Sequence, residues 1–218
     1  MLAIPLSTSQ IDAASKFWKE GGWETKEFAQ LKQVFPNTHD AVKLKAVVLN
    51  ALYGTNVYAI DKVGDYLAKT LRTPHSTGPE LVEELVSEIK QITNRNHHSF
   101  VAKYAHFFIS PDFPILDWYA EYMVGKHLGP VQSKNPKRYL RFVADVQKLK
   151  ELASLTCDCA QLDAYLWVAG EYWYWKEHPK VEINAALKTQ FERLGENSDT
   201  ERTLRHLLGI DASSARAD

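Results

Sequence analysis

The sequence predicts an all-α fold, a two-lobed bundle of about ten helices of ordinary length. Two observations carry this. Apolar residues recur every three or four positions along most of the 218 residues, and no alternating strand pattern persists. Glycine, proline and small polar residues punctuate the chain at helix-length intervals.

The segments follow in order. DAASKFWKE and TKEFAQLKQVF are short amphipathic helices separated by GGW. Pro36-Asn37-Thr38 breaks the pattern, and Thr38 or Asp40 can cap the next helix. AVKLKAVVLNALYG is apolar on most turns, and VYAIDKVGDYLAKTL follows the Gly54-Thr55-Asn56 turn. RTPHSTG is a loop, after which Pro79 suits the first turn of ELVEELVSEIKQI. TNRNHH is a second polar loop, with Ser99 the expected N-cap of FVAKYAHFFI. SPDFP ends that helix, because a residue before proline avoids helical geometry. ILDWYAEYMVGKHLG runs to Gly129-Pro130. NPKRYLRFVADVQKLKELASL is basic and amphipathic, and QLDAYLWVAGEYWYWKEH is aromatic-rich with Gly170 inside it. KVEINAALKTQFERLG and TERTLRHLLG complete the ordered part, and the tail IDASSARAD is expected to fray. Breaks at 72–79 and 129–136 suggest one lobe from 40 to 129 and another from 1–39 plus 130–210.

Composition narrows the function classes. A 45% hydrophobic and 24% charged chain reads as an ordered globular protein. No apolar run approaches the ~20 residues of a membrane span, and no secretory signal is read in the opening MLAIPLSTSQ. Cys157 and Cys159 are too few for a zinc framework and read as reduced thiols of a cytoplasmic protein. A formal charge of −1 means that a nucleic-acid binder would concentrate positive charge on one face. Lys134, Lys137, Arg138, Arg141, Lys148 and Lys150 offer such a stripe, or simply a solvated helix face. The histidines form no metal signature.

The candidate chemistry lies in SFVAKYAHFFISPDFPILDWYA, residues 99–120. Lys103 stands among Phe100, Tyr104, Phe107 and Phe108. It either snorkels to water or sits in a partly apolar cleft, where desolvation favours a neutral, nucleophilic amine. Asp117 follows by 14 residues at a helix start. There it can cap the helix, stabilise a developing oxocarbenium ion, or do both.

Helix, proline-bounded break, aspartate and next helix resemble the core of the helix-hairpin-helix DNA glycosylases, the 8-oxoguanine glycosylases in particular. VAKYAHFF is similar to the helix that carries the amine of bifunctional members, and FPILDWYA to the segment that carries the common catalytic aspartate. LNALYGTN and LDAYLWVAG are similar to segments of bacterial proteins of this size, some linked to phage defence. Three features depart from the pattern. RNHHSF replaces the glycine-rich hairpin, the Lys103-to-Asp117 spacing is shorter by roughly one helical turn, and Leu116 is an extra residue before Asp117.

The resemblance implies a DNA glycosylase that excises a modified base from double-stranded DNA, with Asp117 and Lys103 catalytic, strand cleavage open to it through a Lys103 Schiff base, and no metal or organic cofactor needed. A phage base such as glucosylated hydroxymethylcytosine is one candidate substrate. Trp118, Tyr119, Tyr53, Trp167 and His106, which shares the face of Lys103, are candidates for the base pocket. Asn94, Arg95, Asn96, His97, His98 and Ser99, with Lys137, Arg138 and Arg141, are candidates for DNA contact. A monomer is expected. The alternative is a non-catalytic all-α module of the same fold that binds DNA or protein.

Overall fold

The periodic segments become helices in the computed structural model, which describes residues 1–23, 26–71, 78–195 and 198–210. Among them are eleven α-helices and no strand. The helices are α1 (Thr8–Glu20), α2 (Lys26–Val34), α3 (His39–Tyr53), α4 (Ile60–Thr70), α5 (Glu80–Thr93) and α6 (His98–Tyr104), then α7 (Trp118–Leu128), α8 (Arg138–Leu152), α9 (Cys159–Glu177), α10 (Ala185–Glu192) and α11 (Asp199–Leu208). A π-helical segment, Ala105–Ile109, continues α6, and a 3₁₀ turn, Gly129–Val131, follows α7. The tail expected to fray, from residue 211, and the loop at 72–77 lie outside the described residues.

The chain divides into two compact units. A central unit comprises Thr25–Asp117 and Ser133–Ala144, and a terminal unit comprises Met1–Glu24, Trp118–Gln132 and Asp145–Asp218. The sequence reading drew its lobe boundaries at 40 and 129 instead. Packing explains the differences at α2 and α7, and Tyr139, whose hydroxyl donates to the Pro114 carbonyl, joins 133–144 to the central unit. Phe28 of α2 stacks on Tyr53 and Phe107, with ring centroids 5.7 and 4.5 Å apart, so α2 belongs to the central unit. In the terminal unit, a Cβ on Gly170 of α9 would lie 2.4 Å from the Tyr119 carbonyl oxygen of α7. The missing side chain lets two backbones meet and ties α7 to α9.

In the central unit α3 packs on α4, α4 on α5, α5 on α6, and α2 on the π segment. The fully buried Leu49, Val63, Leu67, Val82, Ile89 and Val101 form its core. Each such side chain contributes roughly 1.5–3 kcal/mol of transfer free energy. Thr38 caps α3 by accepting from the Ala41 amide, and Gly54 ends it in the left-handed conformation at φ 55°. Ser99 is not the cap of α6. The helix begins at His98, two residues before the expected Phe100, behind His97, which makes no side-chain cap bond, and Ser99 has another partner.

In the terminal unit α1 packs on α9 and α11. Capping boxes start two helices: Ser7 with Gln10 at α1, and Asp158 with Gln161 at α9. Fully buried His127 ties the N-terminal arm to α7. Its ring Nδ1 lies 2.9 Å from the Ile4 carbonyl, and its own carbonyl accepts from the Ala3 amide at 2.7 Å.

Candidate functional site

The site starts from a helix with no solvent face. Phe100, Val101, Ala102, Lys103, Tyr104, Ala105 and His106 are seven consecutive buried residues, so this helix runs through the central unit rather than over it. At Tyr104–Ala105 the α-helix gives way to the π turn, closed by the Ser110 amide donating to the Ala105 carbonyl at 2.9 Å. The wider turn carries Phe107 into a near-parallel stack with Phe28 and Tyr53, and Phe108 against Tyr104.

Lys103 therefore does not snorkel; its side chain is 8% exposed. The amine donates to Ser99 Oγ at 2.9 Å, one turn earlier on the helix. It lies 3.5 Å from Asp117 Oδ2 and 5.2 Å from the centre of the Tyr53 ring. An ammonium over an aromatic face is held electrostatically as well as by its hydrogen bonds. Asp117 is the more open member, 17% exposed.

Asp117 arrives on a loop that is itself pinned. Phe113, Pro114, Ile115 and Leu116 are all buried. Their carbonyls need partners inside the protein. His106 Nδ1 lies 2.9 Å from the Phe113 carbonyl, and the Tyr139 hydroxyl donates to the Pro114 carbonyl at 3.0 Å. A carbonyl only accepts, so His106 carries its hydrogen on Nδ1.

The other expected residues fall into four groups. Tyr53 is brought to Lys103. Trp118, Tyr119 and Trp167 belong to the terminal unit. There Trp118 and Tyr119 meet Tyr174 edge-on, and Trp167 packs on Trp18 and Trp23. The expected DNA-facing loop divides. Asn94, Arg95 and Asn96 are exposed, with the Arg95 guanidinium over the Tyr58 ring. His97 is partly covered, and burial, then Arg95, lowers its pKa. His98 turns inward, with Nε2 3.7 Å from Glu83 Oε2. Lys137 is exposed, Arg138 is partly exposed, and Arg141 donates to the Asn135 carbonyl. All three stand beside Tyr139 in the sequence.

Three residues near the site were missed. Tyr139 and Glu83 pin the loop and the start of α8. Lys45 of α3 is almost wholly buried, donates to Asn37 Oδ1 at 2.9 Å, and lies 5.6 Å from the centre of the Phe108 ring. Burial, reinforced by Lys32, lowers its pKa. The sequence held a signal for it, because Lys45 shares the buried face of α3 with Val42 and Leu49. Among the described residues no group of three His, Cys, Asp or Glu could hold a metal ion. No described helix is long and apolar enough to cross a membrane.

Residues 10–113 match a family model, HI_0787_N, described as an N-terminal domain. The match includes Lys103 and stops four residues short of Asp117. No curated protein and no solved structure matches the chain.

Proposed function

We propose that the protein is a DNA glycosylase that removes a modified base from double-stranded DNA and leaves an abasic site. The observation that supports this reading is the meeting of the Lys103 amine and the Asp117 carboxylate at 3.5 Å in a largely buried position. Burying both charges costs several kcal/mol per ion before their attraction is counted. An amine and a carboxylate brought together with little water around them can both act on one substrate atom.

The proposed reaction takes place on a nucleotide flipped out of the stack. Lys103 first gives one ammonium proton to solvent, and the neutral amine then attacks C1′ while the C1′–N bond breaks and the base leaves with the bonding pair. Asp117 stabilises the positive charge that develops on the sugar. The attached nitrogen loses a proton to solvent, and the departing base takes one up. Ring opening at O4′ gives a Schiff base, whose hydrolysis returns Lys103 and releases the abasic sugar. Lys137, Arg138 and Arg141 are proposed phosphate contacts, since they flank the tyrosine that holds the Asp117 loop. A phage-modified base, a monomer and a cytoplasmic site of action complete the proposal.

A second reading has its own support. The Lys103 amine already has Ser99, Asp117 and the Tyr53 ring around it, as in a structural ion pair of a non-catalytic binding module.

The test is abasic-site formation on plain, oxidised and phage-modified DNA, by wild type, Asp117→Asn and Lys103→Gln. Abasic sites lost with Asp117→Asn establish a glycosylase. Borohydride trapping of the wild type but not of Lys103→Gln establishes the covalent route. Folded wild type that binds these DNAs and forms no abasic sites would favour the binding module.

A further inference from the structure

We infer that Tyr139 and His106 are positioning residues for Asp117, and that Glu83 holds Tyr139 in place for that task. The inference rests on the proposed glycosylase reading for its kinetic consequence, and on geometry alone for its structural one.

The loop at 110–117 has no regular structure to fix it. Its rigidity must come from side chains that reach into it. Two do so at consecutive carbonyls, His106 at Phe113 and Tyr139 at Pro114. They approach from different elements. His106 lies in the π segment, three residues after Lys103, and fully buried Tyr139 lies in the first turn of α8. Pro114 has a fixed φ, so the chain at the second anchor has little freedom left. Asp117 lies three residues further on.

Tyr139 is secured in turn. Glu83 Oε1 accepts from the Tyr139 amide at 2.5 Å and from the Leu140 amide at 3.4 Å. A carboxylate on the first amides of a helix satisfies orphan donors and faces the positive end of the helix dipole. The other Glu83 oxygen faces His98, the residue before Ser99. These contacts, with the chain itself between His98 and Ser99 and between Pro114 and Asp117, close a ring: Lys103, Ser99, His98, Glu83, Tyr139, Pro114, Asp117 and back to Lys103. The amine and the carboxylate are set from opposite sides of one frame, and the 3.5 Å between them is the gap this frame leaves.

The test is Tyr139→Phe, which keeps the ring and removes the anchoring hydroxyl. Its crystal structure and the wild type's should differ by a shift of about 1 Å or more at the Asp117 carboxylate, and a misplacement of that size costs about 10- to 100-fold in single-turnover rate. The rate is read on duplexes carrying oxidised guanine or glucosylated hydroxymethylcytosine, and DNA affinity should hold. His106→Asn keeps a donor in the place of Nδ1 and should retain the wild-type position of Asp117, whereas His106→Ala should not. This pair keeps the test decisive if Tyr139→Phe fails to fold. An Asp117 carboxylate that superposes on the wild type in Tyr139→Phe, or in His106→Ala, overturns the inference whatever the activity. A shifted carboxylate in a protein whose wild type leaves every duplex intact upholds the positioning role and counts against the glycosylase reading instead.

Discussion

Lys103 Nζ stands 3.5 Å from Asp117 Oδ2, and the two side chains are 8% and 17% exposed. A pair this far from water is held by its partner more than by solvent. Removing one member leaves the other charged and poorly solvated.

Lys103→Met should therefore destabilise the protein by about 3 kcal/mol, the lower end for breaking a buried pair, because Asp117 keeps some exposure. Lys103→Met combined with Asp117→Asn should cost less than the sum of the two single changes, with a coupling of roughly 1–3 kcal/mol. Urea unfolding of the four proteins measures the cycle. Strictly additive losses would mean that the two side chains do not interact.

Gly170→Ala should be destabilising, against the usual helix trend. Alanine in place of a mid-helix glycine ordinarily gains up to about 1 kcal/mol. Here the new Cβ would lie 2.4 Å from the Tyr119 carbonyl oxygen, a backbone atom that cannot swing aside. Helix α9 must move away from α7, at a net cost of about 1–3 kcal/mol. Thermal unfolding checks the sign, and a raised melting temperature would contradict the close packing.

These two sites show what the sequence could and could not reveal. The helices were legible because their information is local: Thr38 is a cap, Gly54 is a stop, and the apolar spacing is helical. Lys103 and Asp117 could be picked out for the same reason, as polar residues in apolar runs. Gly170 was visible as an oddity, but its reason lies on another helix. The π turn was not legible, since it depends on Phe107 and Phe108 finding Phe28, Tyr53 and Tyr104. Ser99 looked like a cap because a serine before an apolar run usually is one, yet here its oxygen serves Lys103. Tyr139 and Glu83 are 56 residues apart, and nothing local announces their contact. The division into units differs from the lobes read off the loops, as loops mark where helices end and not which helices pack together.

Acid should weaken the fold through His127. The ring is neutral, with its hydrogen on Nδ1 facing the Ile4 carbonyl and Nε2 accepting from the Tyr165 hydroxyl at 3.0 Å. Burial lowers its pKa, and the Ile4 contact offsets this only in part. The unfolded chain thus binds a proton more readily than the folded one. Stability is full above the ordinary histidine value of about 6.5 and falls below it, by up to about 1.4 kcal/mol per pH unit for this one group. His127→Asn keeps a donor to Ile4 and cannot titrate. It should be less stable than wild type at pH ~7.5 and lose less on acidification. Urea unfolding at several pH values compares the slopes, and parallel slopes would remove His127 as the acid-sensitive group.

Lys45 should oppose the fold at neutral pH. Its ammonium is almost wholly buried, and its contacts are the amide oxygen of Asn37 and the ring of Phe108, neither of which carries a charge. Burial, then Lys32, favours the neutral amine. The folded protein therefore gives up this proton at a lower pH than the unfolded chain does. In that interval the unfolded state holds more protons, so stability rises as pH rises from the folded value towards the ordinary lysine value. Lys45→Met has similar length and no charge to desolvate. It should raise stability at neutral pH by on the order of 1–3 kcal/mol, and the advantage should shrink as the pH approaches about 10. Denaturation of both proteins from neutral to alkaline pH follows the difference. A gain that stays constant with pH would assign it to better packing. A loss would show that the bond to Asn37 outweighs the buried charge.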